Sequence, residues 1–146
     1  EGSGDMYSKG ANLLHTIRQL AKNDELWRYT LRGLNEEFYH STVTTKEIEE
    51  YISKSIEMDL SKVFDQYLRD IRVPIFEYEI TNGELKYRWN NVIDGFDMPV
   101  EVIIDDKNIH LFPNTEFKKT AIKNLYINVD DDYYIFTKDL KIIVDK

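Results

Sequence analysis

Apolar residues in the first half of the chain recur at the spacing of a helix. From residue 8 to residue 22 they follow the i, i+3, i+4, i+7 pattern that forms one buried helical face. Similar stripes follow, and Pro74, which lacks a backbone N–H, limits the last of them. The pattern predicts about four helices, with stripes at residues 8–22, 26–40, 44–57 and 59–71.

Polar residues at the starts of the later stripes are typical helix caps. The Asn23-Asp24 pair precedes the second stripe, and Thr44 with Glu47 three positions later fits a capping box at the third. Asp59 is positioned to cap a short fourth helix. Side-chain chemistry and periodicity therefore predict similar helix starts.

After Pro74 the period changes from about 3.6 to 2, and β-branched and aromatic residues become frequent. The Asn82-Gly83 pair tolerates positive φ and is a strong signal for a hairpin between strands at residues 75–81 and 84–89. Short turns containing Asp, Asn and Pro separate further stretches of strand character. These stretches are residues 100–104, 108–112, 116–119, 124–129, 133–136 and 141–144.

The two patterns together predict an α+β fold. A helical segment spanning residues 1–72 is followed by a small antiparallel β-sandwich spanning residues 73–146. The connection at residues 72–74 is short and apolar, so we expect no free motion between the two parts.

Composition narrows the classes of function. The 146 residues are 42% hydrophobic and 32% charged, as in soluble globular proteins. A net charge of −8 argues against a nucleic-acid surface, since phosphate contacts need a positive field. Cysteine is absent, which excludes disulfides and leaves the cellular compartment undetermined. No apolar run approaches the roughly 20 residues of a spanning helix, so no membrane segment is predicted.

The three histidines do not form a recognisable metal motif. His15, His40 and His110 lie far apart in the sequence, and none belongs to a two-histidine pattern such as HExxH. We expect His15 to pack or hydrogen-bond at a helix contact, His40 to end the second helix, and His110 to lie on the surface of a strand.

Two other groups of residues could be interpreted as binding sites, but a structural role is favoured for each. The acidic tract Asp130-Asp131-Asp132 lacks the ligand spacing of an EF-hand, so a solvated turn is favoured over a calcium loop. Aromatic residues in the second half form either a ligand-binding face or, as is more common for alternating aromatics, the core and edges of the sandwich. They are Tyr78, Tyr87, Trp89, Tyr126, Tyr133, Tyr134 and Phe136.

The segment Tyr7-Ser8-Lys9-Gly10-Ala11 resembles the Tyr-x-Lys-Gly-Ala segment of aminopeptidase N-like gluzincin metallopeptidases. The sequence that follows resembles the helical C-terminal part of that family's catalytic region. In that family a strand led by proline commonly enters a β-sandwich after these helices, and Val73-Pro74-Ile75 resembles that strand. The segments that carry the middle of the resemblance are Leu26-Trp27, Phe38-Tyr39, Val43-Thr44-Thr45, Asp59-Leu60-Ser61 and residues 63–68.

The resemblance implies a chemical role for one residue. In the family, the tyrosine of this segment points at the zinc site and stabilises the oxyanion formed when water attacks the peptide carbonyl, so Tyr7 is the expected catalytic residue. A phenol remains a hydrogen-bond donor at neutral pH, which suits that role. Lys9 and Gly10 are expected to support the helix entry, with Gly10 allowing close approach of another backbone.

The resemblance also implies what this chain lacks. The HExxH helix and the later glutamate ligand are absent, and both would lie upstream of Tyr7. We therefore expect a C-terminal fragment of a zinc metallopeptidase, inactive and free of zinc by itself, whose parent holds zinc and is an aminopeptidase that hydrolyses N-terminal peptide bonds. Its expected partners are the upstream catalytic region of the same polypeptide and, in the parent, a peptide substrate. The alternative is a non-catalytic peptide- or protein-binding or scaffolding module.

Overall fold

The computed structural model describes residues 5–123 and 126–141. Within them the chain forms four helices followed by strands in two sheets, so the predicted α+β fold is confirmed. No helix in these residues has the length and apolar character needed to cross a membrane. The helices are α1 (Asp5–Ala21), α2 (Asp24–Glu37), α3 (Thr45–Ser55) and α4 (Ser61–Arg69).

Two of the predicted caps are confirmed. The side chain of Asn23 accepts hydrogen bonds from the backbone N–H groups of Glu25 and Leu26 at the start of α2. Thr44 and Glu47 form the predicted capping box at the start of α3, where the Thr44 amide donates to Glu47 Oε2 at 2.7 Å. These two starts are therefore fixed by side chains that are adjacent in sequence.

The predicted cap of the fourth helix is wrong by one position. The residue at the N-cap of α4 is Leu60, which is fully buried in the core and offers no side-chain acceptor. Asp59 lies just outside the helix, and its Oδ1 accepts a hydrogen bond from the Ser61 amide at 2.9 Å. Burial of Leu60 thus sets where α4 begins, while Asp59 shapes the turn before it.

The predicted hairpin is confirmed. Strands β1 (Ile75–Thr81) and β2 (Glu84–Asn90) are antiparallel. Asn82 and Gly83, between them, have φ values of 52° and 77°. Positive φ at both central residues is the signature of a type I′ turn, whose twist matches that of the paired strands.

The remaining strands agree less closely with the sequence pattern. Strand β3 (Val100–Ile104) lies where it was predicted, and β4 (Lys107–Leu111), β5 (Lys118–Ala121) and β6 (Ile127–Val129) overlap their predicted stretches. The predicted strand at residues 133–136 is wrong, because Tyr133 and Tyr134 lie in a turn and β7 begins at Phe136 (Phe136–Asp139). Residues 124–125 and 142–144 of two predicted strands lie outside the described residues.

The strands form a four-stranded sheet in the order β5-β2-β1-β7 and a three-stranded sheet in the order β4-β3-β6. Pairing is antiparallel except between β1 and β7, which run parallel. The prediction of an antiparallel sandwich is therefore corrected at this pair. β7 pairs beside β1 with Phe136 opposite Ile75.

Both sheets and the helices contribute side chains to one hydrophobic core. In the strand-rich half, Trp89 packs edge-on against Phe76 and Phe96, with ring centroids 5.5 Å apart in each pair. Its indole N–H donates to the Met98 carbonyl oxygen at 2.8 Å, so the one polar group of this side chain is satisfied.

The turn that precedes β7 is held against the helices by buried hydrogen bonds. The backbone amide of Tyr134 donates to Thr16 Oγ1 of α1 at 2.9 Å. The Tyr134 carbonyl oxygen accepts from the hydroxyl of Tyr67 of α4 at 2.7 Å. Thr16 and Tyr67 are both buried and Tyr134 is partly buried, so both hydrogen bonds are at least partly shielded from solvent. We call these two contacts the Tyr134 clamp.

Candidate functional site

Tyr7 lies on α1 with 78% of its surface exposed. Within the described residues its hydroxyl has no hydrogen-bond partner. Ala11 and Leu14, four and seven positions later, share its side of the helix and are also exposed. We call these three residues the α1 face. It is an apolar strip with a phenol at its N-terminal end.

Lys9 fixes the start of α1 against the end of the helical part. Its Nζ donates to the backbone carbonyl oxygen of Asp70 at 2.8 Å. A Cβ added at Gly10 meets no atom within 4 Å, so the expected close approach is not made by any described part of this chain. Lys9 thus supports the helix that carries Tyr7, and the space beside Gly10 is open.

Two further apolar side chains lie exposed near this end of the helices. Leu68 projects from α4, and Ile71, just after the helix, is 94% exposed. They flank Asp70, the residue that Lys9 contacts. Scattered exposed apolar residues are common on folded proteins, but here they lie beside the segment that carries the predicted catalytic residue.

The histidines are not brought together into a ligand set. Within the described residues no group of three or more His, Asp or Glu side chains has the arrangement of a metal site. The Nε2 atom of His15 lies 3.2 Å from Asp132 Oδ1, and that of His110 lies 3.3 Å from Glu101 Oε2. His40 follows the end of α2 with a φ of 54°, and its ring contacts that of Tyr39 edge-on. It therefore lies beyond the helix that it was expected to end.

The acidic tract forms a turn that contacts α1. The Asp132 amide donates to Asp130 Oδ1 at 2.9 Å, which closes the turn. Asp132 then contacts His15, and it accepts a hydrogen bond from Gln19 Nε2 at 3.3 Å. The acidic tract therefore adds polar contacts between α1 and the turn that precedes β7.

A polar cleft of about 330 Å³ lies between the α1–α2 turn and the three-stranded sheet. Its charges are largely paired. The Arg18 guanidinium donates to both carboxylate oxygens of Asp24 at 2.8 Å, and this bidentate contact lowers the pKa of Asp24 and raises that of Arg18. Burial raises the pKa of Tyr133 at the cleft wall to about 12, so this phenol stays protonated.

Most of the aromatic group fills the core rather than forming a binding face. Tyr87, Trp89 and Tyr133 are buried, and Tyr78 and Tyr134 are partly buried and packed on the core. Tyr126 and Phe136 are exposed. The core interpretation therefore holds for the buried members of the group. The two exposed ones lie apart in the sequence, with Tyr126 just before β6 and Phe136 at the start of β7.

One further cavity was not indicated by the sequence. A groove of about 620 Å³, which we call the α3–α4 groove, lies between those two helices and presents mainly apolar surface. Met58 and Phe64 contribute apolar atoms to it, and carboxylates lie around its edge. The sequence pattern gave no indication of this groove, because it depends on how the two helices pack.

No protein-family model and no curated protein matches this chain. Among solved structures, the crystal structure of Legionella pneumophila aminopeptidase A in complex with aspartic acid is similar, with a TM-score of 0.67 and 15% sequence identity. The match covers 90% of this chain and only 17% of that chain. At this identity the likeness shows the fold alone, which is that of one part of a peptidase.

Proposed function

We propose that this chain is the C-terminal part of a zinc-dependent metallopeptidase, an aminopeptidase that hydrolyses N-terminal peptide bonds. The observation that carries the proposal is the exposed hydroxyl of Tyr7, displayed by the Tyr-x-Lys-Gly-Ala segment of a chain with the fold of part of an aminopeptidase. The assignment to the aminopeptidase N-like gluzincins belongs to this proposal.

Tyr7 supplies one hydrogen-bond donor in the proposed mechanism. Its hydroxyl donates to the oxygen of the peptide carbonyl as negative charge develops there, and a donor held in place before the reaction stabilises that charge at little reorganisation cost. Lys9 holds the start of the helix by its hydrogen bond to Asp70, which limits movement of Tyr7.

The zinc ligands belong to the upstream part of the proposed parent. This chain is proposed to contribute a hydrogen-bond donor and the scaffold behind it rather than a zinc ligand, because the HExxH motif of the family is not in its sequence. The α1 face and the exposed side chains Leu68 and Ile71 are the surfaces proposed to pack on that upstream catalytic region. Covering them removes apolar area from water, which favours the association.

The alternative, a peptide- or protein-binding module that uses an aromatic sandwich face, has less support. Such a face requires its aromatic residues to be accessible, and Tyr87, Trp89 and Tyr133 are buried. The alternative would regain support from saturable binding of a partner that depends on Tyr126 or Phe136, the two exposed members of the group.

The test compares two purified proteins, this chain alone and the longer chain with its upstream sequence. We expect this chain to fold, to contain no stoichiometric zinc by plasma mass spectrometry and to leave aminoacyl-p-nitroanilide reporters intact. We expect the longer protein to bind about one zinc per chain and to release p-nitroaniline. A folded longer protein with neither zinc nor hydrolysis would remove the enzymatic proposal.

A further inference from the structure

The α3–α4 groove has the dimensions of a ligand site. Its volume of about 620 Å³ lies within the range of roughly 300–1,000 Å³ that is usual for small-molecule pockets, so the groove is large enough for one apolar side chain. Phe64 is buried and Met58 is partly exposed, so the groove has an apolar lining that is continuous with the protein core. Apolar surface of this kind favours an apolar occupant.

The edge of the groove carries excess negative charge. Four carboxylates lie there, from Glu49, Glu50, Glu57 and Asp59, against the ammonium groups of two lysines, Lys46 and Lys54. Arg69, outside the groove lining, contacts Glu49 Oε1 at 2.7 Å, and the Lys46 ammonium lies 3.5 Å from Glu50. Among the described residues, Glu57 and Asp59 therefore have no ion pair within 4 Å, although the positive charge of Lys62 helps to lower the pKa of Asp59. Lys54 in the same lining also has no ion pair with a described residue, so the unpaired groups of the lining are two carboxylates and one ammonium.

Asp59 is held in its charged form. Hydrogen bonds from Ser61, first from its backbone amide, lower the pKa of Asp59, so the carboxylate stays ionised at neutral pH. Together with Glu57 it forms an anionic edge beside the apolar side chain of Met58. An occupant that matches both features carries positive charge next to an apolar group.

Glu57 occupies a backbone position at which glycine is usually preferred. The backbone of Glu57 is left-handed, with a φ of 55°, and the Met58 amide donates to the Ser53 carbonyl oxygen at 3.0 Å. This is the arrangement of a Schellman helix end, where glycine is preferred because it has no Cβ. The turn therefore does not need the carboxylate, and Glu57 can be changed without loss of the helix end.

We propose that the α3–α4 groove binds a short cationic peptide segment in which one large apolar side chain is flanked by Lys or Arg. The apolar side chain enters the groove against Met58 and Phe64, and the flanking cations pair with Glu57 and Asp59. The groove lining does not include Tyr7 or any residue proposed above to pack on the upstream catalytic region, so the two proposals can fail separately. The occupant is defined by its chemistry, a basic segment with one apolar anchor.

Fluorescence anisotropy with three labelled peptides tests the proposal on the intact chain. The probe is fluorescein-labelled Lys-Arg-Phe-Arg-Lys. One comparison peptide replaces the central Phe by Ala, and the other replaces the four basic residues by Glu. We expect saturable binding of the probe, weaker binding of the Ala peptide and no binding of the acidic one. No saturable binding of the probe up to millimolar protein, or equal binding of the Ala peptide, would overturn the proposal.

Matched variants locate the binding. Glu57→Gln is expected to weaken probe binding about two- to fivefold, the effect of one exposed ion pair. Glu36→Gln removes the same charge from an exposed position of α2 outside the groove and is expected to leave binding unchanged. Glu57→Gly provides the second variant, since it should weaken binding while the melting temperature stays the same or rises. Equal effects of Glu36→Gln and Glu57→Gln would show general attraction to an acidic protein and would reject the groove.

Discussion

The guanidinium of Arg88 pairs with the carboxylate of Glu77, with Nε and Nη2 at 2.9 and 2.8 Å from Oε2. Glu77 is only 2% exposed, although it points away from the face of β1 that carries Phe76. Its other oxygen accepts from Asn90 Nδ2 at 3.0 Å and from Lys138 Nζ at 3.1 Å. Burial raises the pKa of Glu77, but these hydrogen bonds together outweigh burial and leave the pKa below its usual value. The four-stranded sheet is thus joined across β1, β2 and β7 by one ionised carboxylate.

The substitution Glu77→Gln is expected to lower the free energy of unfolding by about 2–3 kcal/mol, less than for a fully buried pair because Arg88 and Lys138 reach solvent. Urea unfolding followed by tryptophan fluorescence measures the loss. Glu79→Gln, two residues along the same strand, is the control and is expected to change stability by less than about 0.5 kcal/mol. Similar losses for both variants would mean that the charge of Glu77 has no special role.

The Tyr134 clamp predicts that the helices and sheets unfold together. Thr16→Val removes the acceptor for the Tyr134 amide and is expected to cost about 1–3 kcal/mol, because a buried N–H is left unpaired. Tyr67→Phe removes the donor to the Tyr134 carbonyl and is expected to cost about 1 kcal/mol. Circular dichroism and tryptophan fluorescence should give one coincident transition in urea for each protein. Two separated transitions in the unmodified chain would contradict the clamp.

Asp70 predicts a specific decline of stability in acid. Hydrogen bonds from the side chain and backbone of Arg72 lower the pKa of Asp70 from 3.8 to about 2. Because the folded pKa is depressed, this contribution is complete above the unfolded pKa and is lost as the pH falls through the folded pKa. The urea midpoint should therefore fall between about pH 4 and pH 2.

Asp70→Asn is expected to flatten that acid decline, since the substituted side chain does not titrate. Asp94→Asn, at an exposed carboxylate outside these contacts, should leave the slope unchanged. An unaltered slope in Asp70→Asn would show that other carboxylates account for the acid sensitivity.

Tyr7→Phe tests the proposed catalytic role in the longer protein. Loss of one oxyanion donor is expected to raise the activation free energy by about 2–4 kcal/mol, seen in kcat/KM, while zinc content and melting temperature stay the same. Tyr29→Phe removes the hydroxyl of another exposed tyrosine, on α2, and should leave turnover unchanged. Unchanged turnover in Tyr7→Phe would reject the assigned role.

The parts of the fold that the sequence predicted well are those set by neighbouring residues. The caps at Asn23 and Thr44 and the Asn82-Gly83 turn act within a few positions, so periodicity and turn chemistry suffice to locate them. Tyr133 and Tyr134 were placed in a strand because they are aromatic. The structure puts them in a turn because hydrogen bonds to α1 and α4 hold Tyr134 there. Those hydrogen bonds link residues that are distant in sequence, so no local sequence pattern could predict them.

The candidate sites also differ in whether a local sequence pattern could indicate them. The sequence singled out Tyr7 through a short motif, and its catalytic role stays a prediction. The α3–α4 groove depends on how two helices pack and on the left-handed turn at Glu57. Its volume and its charged edge therefore could not be predicted from the sequence. Burial of Glu77 was equally hidden, because alternation along β1 assigns that position to the solvent side.

The pairing of β7 with β1 has a consequence for synthesis of the protein. Lys138 reaches Glu77 across 61 positions of the chain, so the edge of the four-stranded sheet is completed only after residue 139 has left the ribosome. Until then β1 keeps an unpaired edge, and the Glu77 carboxylate lacks one of its cations. Nascent chains released before that point should be more prone to aggregate than those released after it, because an open strand edge can pair with another molecule.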